Sequence, residues 1–212
     1  MQNDKQLRVA FLDQDHPLHI GSASLILDKI EKHRLSCRPW AAYPYQPIVA
    51  FSIAHTRGAC LLKFYVEEKF VKASCGRINE PVYKDSCVEF FLSLDEKEYY
   101  NLEFNCLGTA LVGYGKDKDN RKFLPEEVIK KIDYQVYINN AQENIRWELT
   151  LVIPVTIFIY DDVVSLSGYS TRGNFYKCGD DLPEPHFLSW TEIDSTEPNF
   201  HLPQFFGTLL FE

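Results

Sequence analysis

The sequence predicts an all-β fold, an antiparallel β-sandwich or jelly roll with a long C-terminal loop and a minor helix, built by residues 1–212 as a single domain. Three observations carry that prediction. Apolar and polar residues alternate with period two in stretch after stretch, with turn residues between them. PEEVIKK (125–131) is the one stretch that reads as a helix, of one or two turns opened by Pro125. The chain has 212 residues, 45% hydrophobic and 14% aromatic, which is enough for one large core and too apolar for global disorder.

The elements follow in order. VAFSIAHT (49–56) and CLLKFYVEE (60–68) read as strands joined by a turn at Arg57-Gly58. DSCVEFFLS (85–93) and EYYNLEFNCLG (98–108) read as a hairpin across a short charged turn, and GTALVGYG (108–115) extends that sheet. YQVYIN (134–139) and IRWELTLVI (145–153) form a second hairpin. In the latter strand Ile145, Trp147, Leu149, Leu151 and Ile153 share one face, so Trp147 is expected in the core. VVSLSGYSTR (163–172) and FFGTLLFE (205–212) complete the strands. Between them, 173–205 is rich in Pro and aromatic residues and reads as a long loop of functional or sheet-covering kind.

The net charge of −8 argues against nucleic acid and anionic membrane as partners, and no apolar run is long enough to span a bilayer. The opening MQNDKQLRVAFLDQDH lacks the basic and apolar regions of a secretory signal. A cytoplasmic location is therefore expected, or a periplasmic or extracellular one if the natural chain carries a leader before this start. The six cysteines, 37, 60, 75, 87, 106 and 178, form no C-x-x-C pair and no zinc-like spacing. They are expected as free thiols in a reducing compartment.

In PVYKDSCVEFF (81–91), Ser86, Val88 and Phe90 make an apolar face, whereas Tyr83, Asp85, Cys87, Glu89 and Phe91 share the other. If this strand pairs with 99–106, that second face gathers Tyr83, Asp85, Glu89, Asn101, Glu103 and Asn105. Planar acceptors, amides and an aromatic edge together suit a sugar, and an ordinary solvated face is the plain alternative. Asn is depleted in strands, and two on one face weigh against the plain alternative.

A glycosidase pair needs carboxyls roughly 5–10 Å apart. Asp85 and Glu89 lie about 13 Å apart along one strand, which disfavours hydrolysis by that pair; Glu89 and Glu103 come closer across the hairpin, but nothing marks either as an acid of raised pKa. His186, His201, Asp180 and Asp181 fit no H-x-x-x-H or G-x-S-x-G pattern. KDKDN (116–120) reads as a polar turn and not a calcium loop.

VYKDSCVEFFL, YYNLEFNCLGT, RGNFYKCGD, PHFLSW and FHLPQFFGTLLFE, in this order and spacing, resemble the carbohydrate-binding module family 9-like proteins of Bacteroides-type bacteria. These are DOMON-like β-sandwiches, and the resemblance covers roughly residues 35–212. It implies a sandwich that binds a poly- or oligosaccharide, at a chain end in the founding modules, and catalyses nothing. It implies stacking rings at Tyr83 and Trp190, with Glu89 and Asn105 hydrogen-bonding the sugar. Where the family carries a basic residue the chain has Glu103, and Arg172 or Lys177 is the expected replacement for the missing cation. The resemblance implies no required cofactor; it allows a structural calcium ion, whose ligands it does not name. The sequence leaves the oligomeric state open.

Two other functions compete with this one. A sandwich whose sugar site has decayed would serve as a protein-interaction domain. A haem-binding DOMON-type module would need axial ligands, and with Met1 the single methionine only His186 and His201 are available.

Overall fold

The computed structural model describes residues 5–14, 17–141 and 144–212. In chain order it has strand β1 (Gln6–Phe11), helix α1 (Ile20–Leu27) and strands β2 (His33–Arg34), β3 (Ile48–His55) and β4 (Ala59–Glu68). Then come β5 (Cys87–Ser93), β6 (Tyr99–Asn105), β7 (Ala110–Gly115), β8 (Arg121–Phe123) and the short α2 (Glu126–Ile129). The chain ends with β9 (Asp133–Ala141), β10 (Asn144–Pro154), β11 (Ser170–Cys178), β12 (Phe187–Ser189) and β13 (Gly207–Phe211).

The strands form one curled sheet in the order β8-β7-β6-β5-β11-β13-β1-β3-β4-β10-β9, with β12 beside β11 and β2 beside β3. The two halves of that path fold face to face. β1 joins them, and it runs parallel to both β13 and β3. The sandwich is therefore mixed and not purely antiparallel as expected. Residues 12–47 between β1 and β3 are long enough for a parallel crossover, and β13 comes from the far end of the chain, so neither pairing is made by a two-residue hairpin.

The core between the halves is aromatic at its centre. Phe175 of β11 stacks on Phe90 of β5 at 4.8 Å and on Phe51 of β3 at 3.8 Å between ring centroids. Trp147, Leu149, Leu151 and Ile153 of β10 face inward and are fully buried. The outer face of β4 and β10 is covered by α1, whose Ala23 and Leu27 pack on Ala54, Leu61 and Val152. Lys63 reaches out beside that helix to Asp28 and Glu148, at 2.7 and 2.8 Å.

The C-terminal region differs from expectation. The strand expected at 163–172 begins only at Ser170 and runs to Cys178, taking the first residues of the expected loop into the middle of the sheet. Asn174–Cys178 pair residue by residue with β5, and Phe175 supplies the central core ring, so burial outweighs the polar residues around them. The irregular segment shrinks to 179–206 and is itself interrupted by β12.

That segment lies over the outer face of β5, β6, β7 and β11. Phe200 stacks on Tyr176 at 4.2 Å, Phe206 packs edge-on against Tyr99, and Trp40 donates its indole N–H to Ser195 O. The site-bearing sheet is thus buried on both faces.

Candidate functional site

Register places the site. In the β5–β6 ladder Glu89 stands directly opposite Glu103, and in the β5–β11 ladder it stands opposite Tyr176. Two residues along, Cys87 faces Asn105 on one side and Cys178 on the other. Period two sends all of these side chains to the face beneath the 179–206 segment. There a cavity of about 80 Å³, open at its mouth, is lined by Tyr83, Glu89, Glu103, Lys118, Arg121, Cys178, Asp180, Phe187, Pro198, Asn199, Phe200 and His201.

The two glutamates form the floor and are almost fully buried. Burial, followed by Glu103, pushes the Glu89 carboxyl well above the usual carboxylate range. Burial also raises Glu103, to about 7, against the pull of Arg121. Arg121 Nη1 donates to Glu103 Oε1 at 3.1 Å, and Asn101 Nδ2 donates to the same oxygen at 3.0 Å. Glu103 Oε2 and Asn101 Oδ1 are buried without a hydrogen-bond partner among the described residues. Glu89 Oε1 accepts from the Cys178 thiol at 3.2 Å. At the wall, burial and then Asp181 raise Asp180 to about 6.

Arg121 arrives from β8, two strands away from β6, and two glycines of β7 make this possible. A Cβ on Gly113 would sit 2.6 Å from Asn101 Oδ1 and 3.3 Å from Arg121 Cδ, so the bare backbone clears the path of the guanidinium stem. A Cβ on Gly115 would lie 2.3 Å from Asn120 O, inside the tight turn that feeds β8. The KDKDN stretch is that turn: Asp117 accepts from the backbone N–H of Asp119 and Asn120.

Arg121 also fixes a histidine. A guanidinium only donates, so His201 Nε2, 3.3 Å from Arg121 Nη1, accepts. The proton then sits on Nδ1, which faces Tyr99 Oη at 2.8 Å. Burial first, and Arg121 next, lower the His201 pKa to about 3.

The expected site residues separate into two groups. Tyr83 lines the cavity from a 3₁₀ turn, Val82–Lys84, tied to the C-terminal segment by Asp180 N–H donating to Tyr83 O. Glu89 and Glu103 join it. Asn105 does not: Nδ2 donates to Cys75 O and Asp85 Oδ2, and Oδ1 accepts from Leu107 and Thr109, so its hydrogen-bonding capacity is spent. Asp85 also accepts from the backbone of Ser74 and Cys75, and it braces that loop.

Trp190 is a correction. Its ring lies in the core between the halves, 2% exposed, edge-on to Phe51 and Phe175, and is not available to stack on a ligand. Arg172 is another: its guanidinium donates to Thr208 Oγ1 and Phe206 O and lines a separate depression near Ser93 and Pro203. Lys177 has the opposite parity to Tyr176 and Cys178 and points into the core, where its ammonium meets Glu68 at 3.0 Å and His186 Nε2 at 2.7 Å. The two-histidine haem reading fails on the same geometry. His186 accepts from buried Lys177 and His201 from Arg121, so each Nε2 is already engaged, on opposite faces of one sheet.

Among the described residues, the one convergent group of three His, Cys, Asp or Glu donors is Cys87, Glu89 and Cys178. Two sulfurs make it a poor fit for calcium, which takes oxygen ligands.

Sequence reasoning missed Arg121, Phe187, Phe200 and Cys178 as cavity residues, and it weighed His201 only as a metal, triad or haem ligand. The G-Y-G of β7, two glycines on one face of a strand, was the signal for a side chain crossing over it. Phe187, Phe200 and His201 depend on how 179–206 folds back, which no local pattern encodes, and Cys178 depends on the pairing of β11 with β5.

Comparison with known proteins agrees with this architecture. The profile of the family described as carbohydrate-binding family 9 matches residues 21–211. A Bacteroides uniformis protein described as a candidate carbohydrate-binding protein is 39% identical, with 98% of this chain and 99% of that one covered and a TM-score of 0.93. Two structures of a family 9 carbohydrate-binding module from Caldicellulosiruptor kristjanssonii, in complex with glucose and with cellotriose, share the fold at 12% and 13% identity. Their TM-scores are 0.59 and 0.61; each covers 98% of this chain, and 96% and 94% of the modules. A search of curated proteins gives no match.

Proposed function

The chain belongs to carbohydrate-binding family 9, and from that premise we propose that its cavity binds a neutral sugar unit of an oligo- or polysaccharide without cleaving it. The observation that carries this reading is the floor: buried Glu89, whose hydrogen-bond partner is a weak thiol donor, beside Glu103 with an unpartnered oxygen. Buried acceptors short of donors are matched by sugar hydroxyls, which arrive as donors. Tyr83 and Phe187 offer aromatic faces for sugar C–H groups.

Arg121 supplies the guanidinium that the resemblance found missing at Glu103. It comes from another strand but reaches the same carboxylate. Binding without catalysis is favoured because Glu89 and Glu103 are neighbours on the floor of the cavity and Arg121 holds the latter. A hydrolytic pair flanks its bond from two sides.

The test is a fluorescence and calorimetric titration with glucose, cellobiose and xylobiose, each also as its reduced alditol. Trp40, 5.8 Å from both Phe187 and Phe200, is the reporter, because Trp147 and Trp190 are core. Saturable binding that falls at least ~10-fold in Glu89→Gln is expected, because an amide N–H₂ replaces one of the oxygens that accept from sugar hydroxyls. No binding across a broad glycan panel would overturn the proposal in favour of a protein-interaction domain.

A further inference from the structure

We propose that Cys87, Cys178 and Glu89 form a binding site for a thiophilic divalent cation of the zinc or cadmium type at the foot of the cavity. The site is built into the sheet. Cys87 and Cys178 are directly opposed across the β5–β11 ladder, and Glu89 follows Cys87 by two residues on the same face. One donor atom from each lies within 4.8 Å of the other two, and Cys178 Sγ stands 3.2 Å from Glu89 Oε1. Ligands at about 2.3 Å for sulfur and 2.0–2.2 Å for oxygen, in tetrahedral array, require separations in this range.

The donor set chooses the metal. Two sulfurs and one carboxylate suit zinc and cadmium and disfavour calcium or magnesium. All three side chains are buried, so no shell of bulk water competes for the ion. Glu89 and Cys178 line the cavity, which supplies both an entry path and an open fourth position. That is the pattern of three protein ligands plus an exchangeable one.

Without metal, burial holds both thiols protonated; Cys87 is pushed up to about 12. On binding, the two S–H protons and the carboxyl proton that buried Glu89 carries leave to solvent, two S–metal bonds and one O–metal bond form, and no oxidation state changes. The other cysteines belong to no such donor group among the described residues: Cys60 on β4 and Cys106 in the turn after β6 are buried in the other core cluster, and Cys37 and Cys75 are half-buried.

The inference does not rest on the sugar reading, since it is read without sugar present. The experiment uses the full chain, reduced with a phosphine and stripped with chelator, titrated with cadmium and then zinc. One equivalent is expected to produce the ultraviolet thiolate-to-cadmium charge-transfer band, which zinc then displaces. Cys178→Ser and Cys87→Ser are expected to lose the band, while Cys37→Ser and Cys75→Ser keep it. Should the core variants misfold, mass-spectrometric thiol labelling of the wild-type chain decides the matter: zinc is expected to protect Cys178 from alkylation. A missing band, a band that survives in Cys178→Ser, or unprotected Cys178 would overturn the site.

Discussion

Lys177 is the residue whose removal tests the fold logic most directly. Its ammonium is fully buried and meets Glu68 Oε2 at 3.0 Å, His186 Nε2 at 2.7 Å and Cys178 O at 2.8 Å. Glu68 also accepts from the Trp147 indole at 2.7 Å, and it stands on β4, in the opposite half of the sandwich. The pair therefore bolts the site-bearing half to the other through the core. Replacing Lys177 with Met keeps most of its volume and removes its charge, leaving Glu68 buried with the indole as its strong donor. Breaking a buried pair from one side costs about 3–5 kcal/mol. For a chain of this length that is a fall in Tm of roughly 6–20 °C. The assay is urea unfolding followed by far-ultraviolet circular dichroism, on Lys177→Met, Glu68→Gln and the double variant. The double variant should recover much of the loss, because neither orphaned charge remains. A Lys177→Met chain within ~1 kcal/mol of wild type, or losses that simply add in the double variant, would refute the reasoning.

Two further outcomes follow from the same geometry. Trp190→Ala should cost about 3–5 kcal/mol in the same unfolding assay, because the ring fills the core against Phe51 and Phe175, while Trp190→Phe should leave sugar affinity unchanged. A sugar affinity lost in a folded Trp190→Phe chain would return that ring to the site. The second concerns acid. Burial, then Lys177, lowers the His186 pKa to about 3, below its unfolded value near 6.5. As pH falls through 6.5 the unfolded chain takes up the proton first, so stability is lost between pH 6.5 and 3, by roughly 2–3 kcal/mol from pH 7 to pH 4. Glu89 and Glu103, raised by burial, contribute in the opposite sense. The urea midpoint of His186→Gln should therefore fall less on acidification than that of wild type, and parallel slopes would contradict the assignment.

Much of the fold was legible because the period-two alternation of apolar and polar residue types is a local signal. The strands at 49–56, 60–68, 85–93, 98–108 and 145–153 needed only the alternation of residues such as Trp147, Leu149 and Leu151. The floor of the site was legible for the same reason: parity alone put Glu89 and Glu103 on one face, and antiparallel pairing set them opposite each other. What local pattern misled about was β11. Gly173–Cys178 carries Asn, Lys and Gly among its rings, and only the paired β5 and the facing Phe51 make it a buried central strand.

The sequence by itself determined the strand composition, the family and the placing of Glu89 and Glu103 on one face of the sheet. It did not determine which aromatic rings are free, because Trp190 and Phe200 come from one irregular segment whose path sends the first into the core and the second to the cavity. Nor did it choose the cation: Arg172 and Lys177 are spent on Thr208 and Glu68, while Arg121 crosses two glycines to reach Glu103. The physical reason is common to these cases. Parity along a strand is encoded in neighbouring residues, whereas the partner of a long side chain is set by contacts between segments tens of residues apart, and only the packed structure brings those together.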